Sequence, residues 1–193
     1  MQKRITVQRE DLSKPKGFSP KTQEAQVAPQ GGDSVFWFND DSHTSHQPYP
    51  RLPDGKPGDW GPPIPAQNPS QQLNLDKAGT YYYQCAEHAD ETGEIIVANA
   101  AMIGPAGTGV ATFAPATLPI VVDQCVSWGN SDANAHQPTP DQGRAWFAEP
   151  IQSGDISAPI AFAKVGSVPY HCALHKNEAS EKGTIVVNEP KKS

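Results

Sequence analysis

The sequence lacks the marks of several common protein classes. It holds three cysteines, an odd number, so a disulfide framework cannot account for all of them. No apolar run approaches the roughly 20 residues that span a bilayer. After the basic start Met1-Gln2-Lys3-Arg4 there is no apolar stretch of about 7–15 residues, so no secretory signal peptide is visible. Lys and Arg number 15 against 21 Asp and Glu, giving a formal charge of −6. No Lys/Arg cluster lies on a periodic segment, which argues against a nucleic-acid surface, because neutralising phosphates needs concentrated positive charge. No segment sustains a helical period. Gly-x-Ser-x-Gly, His-Glu-x-x-His and a phosphate-cradling glycine loop are all absent, which removes the signatures of common hydrolytic and nucleotide chemistry.

Proline (20) and glycine (16) are plentiful but stay below the ~25–30 % of a low-complexity chain. They fall between short runs of β-branched and aromatic residues, as loops between strands do. The chain also repeats itself. Tyr83-Gln84-Cys85-Ala86-Glu87-His88, with Gly93-Glu94-Ile95-Ile96-Val97 after it, returns as Tyr170-His171-Cys172-Ala173-Leu174-His175, with Gly183-Thr184-Ile185-Val186-Val187 after it. Phe18-Ser19-Pro20 returns as Phe113-Ala114-Pro115, Trp37-Phe38-Asn39 as Trp128-Gly129-Asn130, and His46-Gln47-Pro48 as His136-Gln137-Pro138. Trp60 and Pro65-Ala66-Gln67 are answered by Trp146 and Pro150-Ile151-Gln152. Each copy has roughly 90 residues, enough for a small sandwich core around Trp37 or Trp128. The repeat divides the chain into a domain over 1–99, a small-residue, glycine-rich linker over 100–109 and a domain over 110–193. Each half offers several short strands, and the proline-rich stretch from Gln47 to Ser70 reads as an ordered cover anchored by Trp60. Val121 to Trp128 reads as one apolar strand, with Cys125 a buried, inert thiol.

A thiolate and an imidazole separated by two residues, between two strands, suit a soft or borderline transition metal. Each half has three such residues at matching places: His46, Cys85 and His88, then His136, Cys172 and His175. A carboxylate stands near each, Glu91 in the first loop and either Glu178 or Glu181 in the second. His46 is favoured over His43 because only it shares His-Gln-Pro with the second half. Alternation turns His171 away from Cys172. The same nitrogen and sulfur donors accept zinc.

On these residues both halves resemble the cupredoxins, the blue copper proteins, with an amicyanin-like spacing in the first ligand loop. The resemblance implies an all-β chain of two cupredoxin-like Greek-key β-sandwich domains in tandem. It also implies one copper per domain, two per chain, in a His₂Cys site with a weak axial ligand. The usual axial methionine is missing, since Met1 and Met102 lie outside the ligand loops, and Glu91 and Glu181 (or Glu178) occupy its place. The implied function is electron transfer rather than catalysis, with His88 and His175 as electron ports. The implied partner is a redox protein such as a cytochrome or copper enzyme, in a periplasmic or extracellular setting. A copper carrier or storage module, or a small two-domain copper oxidoreductase, would use the same ligands. Only His43 and His171 remain beyond the four ligand histidines, too few for a three-histidine catalytic site.

Overall fold

Alternating burial along the apolar runs makes strands of them. The computed structural model describes residues 1–14, 16–27, 32–52, 58–105 and 111–190. Among the described residues there are strands and turns and no helix, so none is long and apolar enough to cross a membrane. The chain divides into two units, Met1–Val97 and Ala98–Ser193.

The first unit contains β1 (Gln2–Gln8), β2 (Gly17–Ser19), β3 (Thr22–Val27), β4 (Ser34–Asn39), β5 (Pro48–Pro50), β6 (Leu73–Asn74), β7 (Gly79–Cys85) and the start of β8 (Thr92–Pro105). One sheet has the order β2-β1-β4-β6, with β1 parallel to β4; the other joins β3, β8, β7 and β5. The faces that meet carry Ile5 and Val7, Val35 and Trp37, Tyr83 and Cys85, and Ile95 and Val97, all buried in one cluster. Each of these pairs is two residues apart, the period that sends side chains to one face of a strand. Trp60 lies over this core, its ring stacked 5.3 Å from Trp37, which gives the proline-rich cover its anchor.

The second unit repeats the plan. The rest of β8 is followed by β9 (Ala111–Ala114), β10 (Thr117–Val121), β11 (Cys125–Asn130), β12 (Pro138–Pro140), β13 (Ile160–Ala161), β14 (Gly166–Cys172) and β15 (Lys182–Asn188). Here β9, β8, β11 and β13 form one sheet, and β10-β15-β14-β12 the other. Ala101 and Ile103, Val126 and Trp128, Tyr170 and Cys172, and Ile185 and Val187 supply the matching core, with Trp146 stacked 5.0 Å from Trp128.

Several local expectations change. The expected linker over 100–109 is strand as far as Pro105, and 106–110 lie outside the described residues. Small residues there do not free the chain: Ala101 and Ile103 alternate into the core, and Asn99 to Ile103 pair with β11. Thr92–Val97 thus closes the first unit, and the same strand goes on to open the second. Val121 to Trp128 is not one strand. Asp123, at φ 67, turns the chain between β10 and β11, a conformation that short polar side chains tolerate. Cys125, at the start of β11, is half-buried rather than buried. The cover gains a short strand, because Pro48–Pro50 pairs along β7 at the sheet edge, where missing amide donors cost little. The cover residues also align differently: Ile64 and Ile151 are equivalent, each bridged to the histidine of its unit, so Pro63 rather than Pro65 matches Pro150.

A matching glycine in each unit is fixed by packing against a buried tyrosine. A Cβ on Gly93 would lie 2.9 Å from Tyr83 Cε1 and closer still to its hydroxyl, and one on Gly183 would lie 2.7 Å from Tyr170 Cε1. Both tyrosines are fully buried, so neither ring has room to yield.

Candidate metal centres

The strands bring the repeated residues to one end of each sandwich. In the first unit Cys85 ends β7, and Pro48 of β5 is its cross-strand partner, which draws the preceding residues His46 and Gln47 alongside. His46 is pinned through its backbone, donating its N–H to Ile64 O at 3.2 Å and accepting from Ile64 N at 2.7 Å. The loop after Cys85 closes on itself: Glu91 N donates to His88 O at 3.0 Å and Cys85 N to Glu91 O at 2.9 Å. His46, Cys85, His88 and Glu91 thereby offer ligand atoms that all lie within 4.8 Å of one another.

Within that cluster Cys85 Sγ is 3.7 Å from His46 Nδ1 and 3.6 Å from His88 Nδ1. Glu91 Oε2 is 2.8 Å from His46 Nδ1 and 3.5 Å from His88 Nδ1. Two ligands about 2.0–2.3 Å from a central ion at a tetrahedral angle stand about 3.3–3.8 Å apart, so the sulfur–nitrogen spacings already suit a shared metal. The 2.8 Å contact is a hydrogen-bond separation. His46, Cys85 and Glu91 are buried, while the His88 side chain is 18 % exposed and forms the outer edge.

The second unit has the same arrangement. His136, Cys172, His175 and Glu181 again lie within 4.8 Å. Cys172 Sγ is 3.8 Å from His136 Nδ1 and 3.5 Å from His175 Nδ1, and Glu181 Oε2 is 3.0 Å from both histidine nitrogens. Gln137 N donates to Cys172 Sγ at 3.4 Å, and Cys172 N to Glu181 O at 3.1 Å. Of the two second-loop glutamates, Glu181 enters the cluster. Glu178 is exposed and serves through its backbone, accepting from Glu181 N at 3.2 Å, so the longer loop spends its extra residues on a further turn.

Two carboxylates not anticipated from the sequence complete the geometry. Asp41 Oδ2 lies 2.7 Å from His46 Nε2, and Asp132 Oδ2 lies 2.9 Å from His136 Nε2. An acceptor there holds the proton on Nε2 and leaves Nδ1 facing the cluster, the usual arrangement behind a metal-binding imidazole. The signal was present as Asn39-Asp40-Asp41 and Asn130-Ser131-Asp132, an aspartate two residues past a repeated asparagine. Those asparagines are buried and pin the loop: Asn39 Nδ2 donates to Thr44 O and Ile64 O, and Asn130 Nδ2 to Asn134 O and Ile151 O.

Electrostatics follow from burial and these contacts. Burial by itself pushes His46 down, but contacts with Cys85, Glu91 and Asp41 prevail and hold its pKa up at about 10. Burial likewise pushes Glu91 and Asp41 up. Hydrogen bonds from His46 and Arg9 to Glu91, and from the Arg9 and Glu10 amides to Asp41, bring both below the usual carboxylate values. Burial raises the Cys172 thiol. His43 and His171 stay outside the clusters. The His43 side chain is 87 % exposed beside Glu10, and His171 Nδ1 meets Asp141 Oδ1 at 2.6 Å. Among the described residues these two are the clusters of His, Cys, Asp and Glu arranged to hold a metal.

No family model matches this chain, and no curated protein does. Solved structures similar to it include a novel purple cupredoxin from Nitrosopumilus maritimus, at 23 % identity over 46 % of this chain and 99 % of that one, with a TM-score of 0.38. A reduced Cu(I) form of an amicyanin mutant is similar at 19 % identity over 49 % of this chain and 79 % of that one, TM-score 0.37. Oxidised plastocyanin from Dryopteris crassirhizoma is similar at 16 % identity over 46 % of this chain and 100 % of that one, TM-score 0.37.

Proposed function

We propose that each unit binds one copper ion, through His46, Cys85, His88 and Glu91 in the first and His136, Cys172, His175 and Glu181 in the second, and that the chain carries single electrons. The observation that carries this reading is the recurrence, in both units, of one thiol, two imidazole Nδ1 atoms and one carboxylate oxygen within 4.8 Å. The donor set fits the group: a thiolate with two imidazoles suits a copper electron-transfer site, and a carboxylate oxygen is a harder fourth donor than a thioether. Bound copper would supply a one-electron couple between Cu(II) and Cu(I).

The protein's own part is to hold the donors still. The strand pairing of Pro48 with Cys85, the bridge between His46 and Ile64, and the closed loop from Cys85 to Glu91 fix three chain segments against one another. Asp41 and Asp132 fix the ring orientation of the buried histidines. His88 and His175, with side chains 18 % and 35 % exposed, form the outward edge at which a partner could exchange electrons. Their surroundings differ: exposed Glu87 and Asp90 flank the first, exposed Leu174 and Lys176 the second. A cationic redox protein, such as a cytochrome, would accordingly prefer the first unit, and its rate there would fall as salt rises. A rate independent of ionic strength would remove that preference. The proposed setting is periplasmic or extracellular, and the proposed role is that of a carrier of electrons rather than an enzyme.

Copper titration of the reduced-thiol protein, read by visible absorption and electron paramagnetic resonance, tests the reading. Two coppers per chain, with strong thiolate-to-copper bands of which Cys85→Ser and Cys172→Ser each remove one, support it. Colourless or zinc-preferring binding would move the clusters to a storage or structural role.

A further inference from the structure

Although the two clusters match residue for residue, what stands behind them does not. Arg9, just past β1, makes two kinds of contact with the first site. Its guanidinium Nη1 donates to Glu91 Oε1 at 3.1 Å and to Asp90 Oδ1 at 2.9 Å, while the other Glu91 oxygen faces His46. Its main-chain N–H donates to Asp41 Oδ1 at 2.8 Å and Oδ2 at 3.0 Å, and Asp41 Oδ2 is the atom facing His46 Nε2. One residue therefore draws electron density from both carboxylates that touch His46.

The second unit replaces that residue. Val7 pairs with Asn39 in the first unit and Ile103 with Asn130 in the second, so two positions further on Arg9 corresponds to Pro105. Proline has neither an amide N–H nor a charge. The ion-pair partners of Glu181 among the described residues are His136 and His175, and Asp132 accepts from Asn134 N and Nδ2, both at 3.2 Å.

We propose that Arg9 is a positioning residue that sets the two sites apart, confining Glu91 to one donor oxygen and holding the first site's reduction potential above the second's. This rests on the copper reading above. Both of its contacts act with the same sign. A cation beside the site disfavours the more positive oxidised state, and a hard oxygen donor weakened by a hydrogen bond favours that state less. Asp90 also accepts directly from the guanidinium, but its side chain is 70 % exposed and its charge is screened by water, whereas the Glu91 side chain is only 2 % exposed.

The test uses single-site proteins. Cys172→Ser keeps the first site and Cys85→Ser the second, and each is poised against ferricyanide and ferrocyanide, which take and give the one electron, while the visible band is followed. The first site is expected to favour its reduced form at least tenfold more than the second, about 59 mV for a one-electron couple. In the Cys172→Ser background Arg9→Gln, which keeps the main-chain N–H on Asp41 but loses the charge and the fork, should remove at least half of that difference, and Arg9→Lys, which keeps the charge without the fork, should lower the midpoint by less than Arg9→Gln does. An unmoved midpoint in Arg9→Gln, or equal shifts in Gln and Lys, would overturn the proposal. Absence of the visible band in both single-site proteins would overturn the copper reading and this inference with it. A band with an unmoved midpoint overturns the inference alone.

Discussion

Replacing Asp41 by alanine isolates the carboxylate behind the first site. Asp41 is 1 % exposed and accepts from Arg9 N, Glu10 N and His46 Nε2. Its loss strands the Nε2–H of a fully buried histidine and leaves two strand-end amides to find other acceptors. One buried unsatisfied donor costs about 1–3 kcal/mol, and with partial loss at the amides the total is about 2–4 kcal/mol. In a domain of this size each 1 kcal/mol moves Tm by about 4–8 °C, so calorimetry of the metal-free chain should show the first unit melting at least about 8 °C lower. Freed from its acceptor, the ring no longer keeps Nδ1 toward the cluster, and copper affinity of the first site should fall about 10–100-fold in a chelator competition. Asp132→Ala should cost less stability, because the Asp132 side chain is 12 % exposed and water can replace it. A first unit melting within about 2 °C of wild type, with unchanged affinity, would refute the reasoning from burial and orphaned donors.

Gly93→Ala should destabilise the first unit by about 1–3 kcal/mol in urea denaturation through overpacking against Tyr83, and Gly183→Ala should do the same in the second; a neutral result would mean the ring moves freely. In electron paramagnetic resonance of the copper-loaded Cys85→Ser protein, Glu181→Gln should change the hyperfine splitting and Glu178→Gln should leave it alone, since Glu181 faces both histidine nitrogens and Glu178 faces solvent. For the metal-free first unit the pH dependence has two limbs. The folded His46 pKa is raised to about 10, so its stabilisation is complete below the unfolded value of about 6.5 and is lost as pH rises between them. Asp41 and Glu91 are lowered, so theirs is complete above unfolded values of about 3.9 and 4.3 and is lost in acid. Denaturation midpoints flat from about pH 6.5 to 10 would contradict the first limb.

The repeat made the fold legible, because a strand's inward residues recur with period two and each core pair in one half has its counterpart in the other: Val35 and Trp37 with Val126 and Trp128, Tyr83 and Cys85 with Tyr170 and Cys172. The two clustered His/Cys/His triplets were legible for the same reason. Features that depend on three-dimensional neighbours were not. Glu178 and Glu181 are equally good by spacing, and only the extra turn of the loop selects Glu181. Ala100 to Pro105 reads as linker by composition, yet its backbone pairs with β11 and its inward residues Ala101 and Ile103 are fully buried, neither of which composition reveals. Asp41 reads as a turn former until His46 is placed against it, and Arg9 lies 82 residues from the glutamate it holds.

Copper K-edge X-ray absorption on Cys85→Ser and Cys172→Ser proteins loaded with one equivalent of copper would examine the ligands themselves. One sulfur and two imidazole nitrogens around the metal in each protein, with a light-atom fourth donor lost in the corresponding Glu91→Gln or Glu181→Gln variant, is the expected outcome. A copper shell of nitrogen and oxygen alone in either protein would contradict a thiolate site in that unit.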